Sequence, residues 1–302
     1  MNKIDYKVLG GLLIAFVAGL AALAFTSCEK PIIDDDDEVS QFYAGNANVL
    51  LYFDATNDDA TRAVTNIDAY FRKLNVMIFD SDGNKVLTKV RTQTADDENF
   101  GSMSMTLAEG TYTVVAVGHS STNSATIKSD QMVQFTASNG EKLTDTFCYC
   151  GILNIGEEPE EHSLIMNRAT AMIRFVFTDT LSDNVASVKF EYSGGSANFN
   201  PSTLEGTTKS KQSENRPSAG HIYSLYTFPY MATSGVLAVT ISVLGEDGTT
   251  AFRRVITNVP VTRNRITTFT GRLFDEGSGE ITQTGFGFLV NGEWEGEDHH
   301  EF

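Results

Sequence analysis

The sequence predicts an all-β protein of two stacked antiparallel β-sandwiches, and three observations lead to this prediction. After the N-terminal region, nearly every apolar segment is short and rich in Val, Ile, Phe and Tyr, which is typical of strands. Clusters of Gly, Asn, Asp or Ser bound these segments, as turns require. Sustained helical periodicity is missing, apart from one short helical turn expected near residues 60–72.

The N-terminal region has the three parts of a secretory signal. A short polar start with Lys3 and Lys7 precedes an apolar stretch over residues 8–25, and small residues precede Cys28. A membrane-spanning helix is the alternative, because such a helix needs about 20 apolar residues. Residues 25–28 (FTSC) resemble a lipobox, however, at which a signal peptidase cuts before the cysteine. We therefore predict that residues 1–27 are removed and that Cys28 carries acyl chains.

Residues 28–41 are predicted to be a solvated acidic tether. The run at residues 34–38 (DDDDE) cannot bury itself against other parts of the chain. It is either a plain spacer or a segment that resembles the surface-export signal of Bacteroidales lipoproteins. Each acyl methylene adds about 0.8 kcal/mol of membrane affinity, so lipid on Cys28 attaches the chain without a spanning helix.

Length and charge limit the organisation and the partners of the chain. The 302 residues leave room for two medium domains after the tether, and the charged run at residues 157–161 (EEPEE) separates them. We place the domains at residues 42–160 and 161–302. The net charge of −17 argues against nucleic acid as a partner, because phosphate binding needs clustered Lys and Arg.

Three strands are expected early in the first domain, at residues 48–54, 74–80 and 111–118. An Asp-Gly turn within residues 81–84 predicts a hairpin that returns as residues 85–89, since Asp-Gly adopts the positive φ values of tight hairpin turns. The same turn resembles part of a calcium loop. The other ligands of such a loop are missing from the sequence, so a plain turn is favoured.

The second domain is expected to contain a further strand series. We predict strands at residues 168–177, 186–192, 236–244, 250–257, 265–274 and 285–290. The third and fourth of these pair across the turn at Asp247 and Gly248. The polar stretch over residues 194–220 is interpreted as a surface excursion.

Cys148 and Cys150 are separated by one residue, so on a strand their side chains project from the same face. A disulfide at this spacing would be strained. A zinc site would need a second Cys or His pair nearby, which the sequence lacks. We predict two buried free thiols on a core face.

No motif for catalysis is recognisable around the five histidines. No nucleophile elbow, HExxH segment or phosphate-binding glycine loop occurs in the sequence. We therefore expect no enzymatic activity, no cofactor, no metal and no small-molecule substrate. The histidines are His119, His162, His221, His299 and His300.

Several blocks, taken in order, carry a family resemblance. They are residues 72–80 (RKLNVMIFD), 110–119 (GTYTVVAVGH), 167–171 (NRATA), 192–195 (YSGG), 226–229 (YTFP) and 259–264 (VPVTRN). Together with the lipobox they resemble the anchor and accessory subunits of the protease-assembled fimbriae of Bacteroidales, the fimbrillin-related proteins. The resemblance implies two transthyretin-like β-sandwich domains in a lipid-anchored subunit on the surface of the outer membrane. It implies other fimbrial subunits as partners, joined by β-strand addition.

The same resemblance suggests roles for both ends of the mature chain. In polymerising relatives, cleavage after an arginine removes the first strand, whereas anchors are expected to keep it. We predict that Arg62 lies in an accessible loop, stays uncut and leaves residues 48–54 in place. Near the C-terminus, Phe286, Phe288 and Val290 share one face. They belong either to a closing strand of the chain's own second domain or to a strand donated to a partner.

A surface glycan-binding or ligand-binding lipoprotein is the alternative function. Exposed aromatic rings would stack on sugars, and Tyr223, Tyr226 and Tyr230 are candidates beside the single Trp294. Aromatic residues on adjacent strands are more often core and interface residues. We therefore favour the fimbrial subunit.

Overall fold

The computed structural model describes residues 47–55, 67–122, 125–135, 143–179, 181, 185–274 and 296–301. Within these ranges the chain consists of strands, turns and two short 3₁₀ helices, Ile67–Ala69 and Met231–Thr233. The first of these helices lies inside the segment for which one helical turn was expected. The predicted all-β sandwich class is confirmed.

The first half of the chain forms two sheets around one core. Their strand orders are β4-β1-β9 and β10-β8-β5-β2-β3. Alternate residues of β1, namely Val49, Leu51 and Phe53, pack against Val76 and Val114 of the facing sheet. The strands of this half, including the short β6 and β7, are β1 (Val49–Asp54), β2 (Lys73–Phe79), β3 (Arg91–Thr94), β4 (Ser102–Met105), β5 (Gly110–His119), β6 (Thr126–Ser129), β7 (Met132–Gln134), β8 (Thr146–Ile155), β9 (Glu160–Ile165) and β10 (Asn167–Arg168).

The second half repeats this plan with a more aromatic core. Its sheets have the orders β15-β11-β18-β19 and β14-β12-β16-β17. The ring of Phe175 stacks on Phe190 at 5.6 Å and on Phe269 at 5.5 Å, which joins the two sheets. The strands are β11 (Ala171–Phe177), β12 (Val185–Ser193), β13 (Asn198–Phe199), β14 (Lys211–Pro217), β15 (Ile222–Thr227), β16 (Val236–Gly245), β17 (Thr250–Pro260), β18 (Arg265–Gly271) and β19 (Gly296–Glu301).

A small fifth sheet, β13-β7-β6, joins strands from both halves. Phe199 of β13 pairs with Val133 of β7 and is fully buried. Its ring contacts Phe228 at 4.5 Å, and Phe228 stacks on Phe135 at 5.8 Å. Residues from the two halves therefore share a core of their own, the third core of the molecule.

Three strand pairs are parallel, which the sequence did not indicate. They are β1 with β9, β11 with β18, and β18 with β19. All other strand pairs among the described residues are antiparallel, as predicted. Parallel neighbours need a long crossover between them, so strand periodicity alone gives no sign of them.

The predicted return strand at residues 85–89 is wrong. Lys85 forms a single bridge with Phe79, and the strand that pairs with β2 is β3, which begins only at Arg91. The turn itself forms as expected, with Gly83 at φ +81°. The Asp80 carboxylate accepts N–H bonds from Asp82 at 2.9 Å and Asn84 at 2.8 Å, so this side chain closes the loop.

The predicted surface excursion at residues 194–220 is also wrong, because it contains β13 and β14. β14 pairs with β12 along its whole length. Gln212 and Glu214 point inward and are 6% and 2% exposed. Polar residues with hydrogen-bond partners can be buried, and hydropathy does not reveal such partners.

The remaining strand predictions are confirmed to within a few residues, except at the ends of the second series. The strand expected at 168–177 is split into β10 and β11, and the strand expected at 265–274 ends at Gly271. The predicted pair β16 and β17 forms across Asp247 and Gly248. The strand expected at 285–290 lies outside the described residues.

Candidate functional site

The site residues predicted from the sequence all lie outside the described part of the chain. They are the lipid-attachment residue Cys28, the loop residue Arg62 and the C-terminal residues Phe286, Phe288 and Val290. Their roles remain predictions. The described residues define the strands and sheet edges of the two halves.

β1 is the middle strand of its sheet. It pairs with β4 on one side and with β9 over all six of its residues on the other. The Asn48 side chain clamps its start, because Oδ1 accepts the N–H of Leu107 at 3.0 Å and Nδ2 donates to the Leu107 carbonyl at 2.9 Å. At its end, the N–H of Met166 donates to the Asp54 carbonyl at 2.7 Å. The strand that an anchor subunit is expected to keep is thus held on both edges.

β17 is a long edge strand. It has 11 residues and pairs only with β16. Val255, near its middle, is 45% exposed, and Arg253 is exposed beside it. An edge of this kind offers main-chain donors and acceptors to a strand of another polypeptide. Charged residues such as Arg253 are a common protection against unwanted pairing.

A buried arginine, Arg168, links residues of the two halves through hydrogen bonds. Arg168 of β10 donates from Nε to both carboxylate oxygens of Asp145 at 3.0 Å, and from a terminal nitrogen to Asn264 Oδ1 at 3.0 Å. Its guanidinium carbon lies 4.6 Å from the centre of the Phe147 ring. Thr170 Oγ1 also donates to Asp145, at 2.9 Å. The block at residues 167–171 therefore holds the loop before β18 close to the start of β8.

The surroundings of His119 indicate a structural role in the core. The N–H of Ser121 donates to its Nδ1 at 3.1 Å, so Nε2 carries the proton and donates to Asn75 Oδ1 at 2.8 Å. Burial, with a smaller contribution from the nearby Lys73 charge, lowers the pKa of His119 to about 3. The ring is neutral at physiological pH and is held as a hydrogen-bonding core residue.

The fragment that resembles a calcium loop is a turn, as favoured. The Asp80 carboxylate also accepts a bond from the Asn84 side chain at 3.2 Å. The backbone N–H of Asn84 is the main cause of the lowered pKa of Asp80. In the described ranges, no group of three or more His, Cys, Asp or Glu side chains is arranged to hold a metal ion.

Cys148 and Cys150 are free thiols on the face that meets the third core, as predicted. The predicted burial is confirmed for Cys148, whereas Cys150 is only half-buried. Burial raises the pKa of both thiols, and a hydrogen bond with Ser202 opposes the rise at Cys150. The protonated, less nucleophilic form is favoured at both positions.

Two of the three tyrosines considered for ligand stacking belong to packed regions. The Tyr223 ring is 4% exposed, and its hydroxyl donates to the carbonyls of Gly220 and Pro217 at 2.7 and 3.1 Å. Burial is the main cause that raises the pKa of Tyr226 to about 12. Tyr230 is half-buried. The packing interpretation is confirmed for Tyr223 and Tyr226.

One polar network was missed at the sequence level. The Tyr192 hydroxyl donates to Glu214 Oε1 at 2.8 Å, and Arg216 Nε donates to Glu214 Oε2 at 3.0 Å. Arg216 also reaches the Ser224 carbonyl at 2.6 Å, so the network joins both sheets of the second half. The sequence signal for β14 was the alternation of inward and outward residues over 211–217. The inward residues are polar, so the alternation did not indicate a buried face.

Comparison with known proteins identifies a family. No curated protein matches the sequence, and no helix within the described residues is long and apolar enough to cross a membrane. A solved Bacteroides thetaiotaomicron protein, described as a candidate polysaccharide-binding protein, is 13% identical, with a TM-score of 0.46 over 70% of this chain and 80% of that one.

Two further solved structures are named for fimbriae. The fimbrial anchor protein Mfa2 of Porphyromonas gingivalis is 15% identical, with a TM-score of 0.40 over 70% of this chain and 82% of that one. A fimbrial assembly protein of Parabacteroides distasonis is 13% identical, with a TM-score of 0.40 over 74% and 89%. Likenesses at this level identify no function.

The sequence match to a family is more extensive. Residues 40–300 match one family along nearly the whole length that follows the acidic tether. The chain therefore belongs to the family of unknown function DUF6562.

Proposed function

We propose that this chain is a lipid-anchored anchor or accessory subunit of a fimbria, without enzymatic activity, on the outer membrane of the cell. The observation that carries the proposal is the long edge strand β17 in a chain that begins with a lipoprotein signal and an acidic tether. The signal provides attachment, the tether provides distance from the membrane, and the edge provides a place for a partner. The sequence blocks that resemble fimbrial subunits support the same role.

The β17 edge is long enough for specific pairing. Eleven residues of extended chain span roughly 36 Å, at about 3.3 Å per residue. A partner strand along part of this length would form main-chain bonds that depend little on sequence, while side chains such as Val255 would contribute selectivity. Strand addition in this form needs no rearrangement of the two cores.

The environment of β1 supports the expected retention of the first strand. Its removal would expose two strand edges and the core surface now covered by Val49, Leu50, Leu51 and Phe53, each at most 4% exposed. We propose that β1 remains in the mature protein and that Arg62 is not cut. Mass spectrometry of surface-extracted protein should find the N-terminus at the acylated Cys28. A mature N-terminus at Ala63 would instead make the chain a polymerising subunit.

The glycan-binding alternative is less well supported by the described residues. Sugar stacking needs an open ring face, and the rings of Tyr223 and Phe190 pack on each other at 5.2 Å inside the second core. Tyr226 is partly buried against the third core and against Met172 and Ile266. These positions leave little aromatic surface for a sugar at the places that the sequence suggested.

Attachment is tested at Cys28. The Cys28→Ser variant should lose acylation and be released from the membrane fraction, because lipid on the Cys28 sulfur and amino group is the proposed anchor. Cys150→Ser is the matched control, since that thiol is free and half-buried and should not affect acylation. Metabolic labelling with an alkyne fatty acid and membrane fractionation provide the readout. Acyl-labelled Cys28→Ser in the membrane would contradict the proposal.

Partner binding is tested by placing a photo-crosslinking residue at Val255 on the β17 edge. The matched control position is Lys189 of β12, whose side chain is 33% exposed but which pairs with β14 on one side and with β16 on the other. Irradiation of cells should yield crosslinks to another fimbrial subunit from position 255 and not from position 189, identified by mass spectrometry. Equal crosslinking at both positions, or none to a fimbrial protein, would contradict strand addition at β17.

A further inference from the structure

The last described strand, β19, is an unusual edge strand. Its sequence, GEDHHE, contains no aliphatic residue, yet it pairs with β18 along the whole strand in parallel orientation. Residues 275–295 separate it from the rest of the second half. β19 therefore covers the edge of β18 without the apolar residues that usually hold a strand on a sandwich.

His300 occupies the position of a core side chain. It pairs with Phe269, is 4% exposed and stacks on the Phe269 ring at 4.8 Å. It thereby extends the stack of Phe190, Phe175 and Phe269 that joins the two sheets. Its Nε2 is buried and has no hydrogen-bond partner among the described residues. A neutral imidazole can be tolerated there, whereas an imidazolium would bring a buried, unpaired N–H and a charge.

The charged groups around His300 do not compensate for that charge. Asp298 lies on the same face of β19, but its carboxylate is already paired with Arg265 of β18 at 3.1 Å. His299 is the other titratable neighbour on β19, and it opposes a second positive charge. The facing strands β18 and β11 present the neutral rings of Phe269 and Phe175. Burial is the main cause of the lowered pKa of His300, the Asp298 charge opposes it, and His299 adds to it.

We propose that Gly296–Glu301 is a releasable cover strand, which closes the edge of β18 at neutral pH and leaves it in mild acid, when His300 takes up a proton. The inference rests on the packing of β19 and does not depend on the proposed fimbrial role. Release would expose the backbone of Arg265–Gly271 as an open edge.

The direction of the pH effect follows from linkage. The pKa of His300 in the docked strand lies below its ordinary value of 6.5, so the undocked strand binds the proton more readily. Docking is complete above about pH 6.5. Below it, the docking equilibrium weakens by up to about tenfold per pH unit, until the pKa of the docked form is reached.

Hydrogen exchange of the full chain tests the proposal, with rates corrected for the intrinsic pH dependence of exchange. Between pH 7.5 and about pH 5.5, peptides that cover residues 296–301 and 265–271 should both lose protection, while β1 and β16 remain protected. A chain that ends at residue 295 gives the reference for an uncovered β18 at both pH values.

Three variants decide whether His300 is responsible. His300→Phe keeps an aromatic ring in the stack, and His300→Gln keeps a neutral polar side chain. Each should abolish the pH response, and His300→Gln provides the test if the phenylalanine variant does not fold. His299→Gln, the control on the neighbouring residue, should keep most of the wild-type response, because His299 makes the smallest of the three contributions to the pKa of His300. Unchanged wild-type protection in acid, or a response that persists without His300, would overturn the inference.

Discussion

β1 and β19 are both six-residue strands near an end of the described chain, but they are held in opposite ways. β1 lies between β4 and β9 and buries four apolar side chains. β19 lies at an edge, pairs only with β18 and places a histidine where a core residue would stand. Both make a full parallel ladder with a neighbour, so the ladder does not account for the difference.

This comparison shows what holds a terminal strand in place. Net hydrogen-bond energies are modest, because the freed groups bond to water instead. Burial of apolar side chains provides the larger share, at about 1.5–3 kcal/mol for each large side chain. β1 should therefore unfold only with its whole domain half, whereas β19 should open locally.

The largest effect is expected from Phe53→Ala in β1. Phe53 is 4% exposed and belongs to the first core, so its truncation leaves a cavity and should lower the free energy of unfolding by about 3–5 kcal/mol. Urea denaturation of the purified protein measures this change in the free energy of unfolding. Ile152→Ala, at a residue 68% exposed, is the control and should change stability by less than about 0.5 kcal/mol. Similar losses in both variants would show that β1 is not a core strand.

Acid should weaken the first half globally through His119. Its folded pKa of about 3 lies below the ordinary 6.5, so the unfolded chain takes up the proton first and stability falls as pH drops below 6.5. Between pH 6.5 and 5.5 the loss should be about 1 kcal/mol in the free energy of unfolding.

Denaturation of wild type and His119→Gln over this pH range measures that contribution. The variant should be less stable at neutral pH but should lose less on acidification. His162→Gln, at a partly exposed residue paired with Glu160 at 2.9 Å, should retain the wild-type slope. An identical slope in all three proteins would contradict the assignment to His119.

A difference in local opening is expected even at neutral pH. Amides of β19 should be protected at least about 100-fold less than those of β1, because edge strands with few apolar contacts open without global unfolding. Hydrogen exchange at pH 7.5 gives both values in one experiment. Equal protection of the two strands would mean that backbone pairing, and not side-chain burial, sets the stability of a terminal strand here.

The smallest effect is expected from Asp298→Asn, which removes the ion pair between β19 and Arg265. Both side chains are about a quarter exposed, so the loss should be roughly 0.5 kcal/mol and confined to the docking of β19. Asp96→Asn is the control, because the Arg72–Asp96 pair is 60% and 87% exposed. Exchange of β19 should rise about twofold in the first variant and stay unchanged in the second. A loss of global stability in Asp298→Asn would contradict this local role.

The strands that could be predicted are those in which the residue types alone indicate the buried side chains. Residues 74–80, 111–118 and 186–192 combine β-branched and aromatic residues with clear ends, and each forms a strand within one or two residues of the expected bounds. β14 was missed because Gln212 and Glu214 are buried by partners far away in sequence. The predicted hairpin return is wrong because backbone pairing after the turn ends at Val86, and β2 pairs further along with β3 instead.

The sequence by itself determined the all-β class, most central strands, the Asp-Gly turns and the free state of Cys148 and Cys150, because each depends on local residue chemistry. Only the tertiary structure decided the three parallel pairs, the third core, the Arg168 contacts and the placement of His300 on Phe269. These features join residues that are distant in sequence. Their energies depend on distances and desolvation that no local pattern encodes.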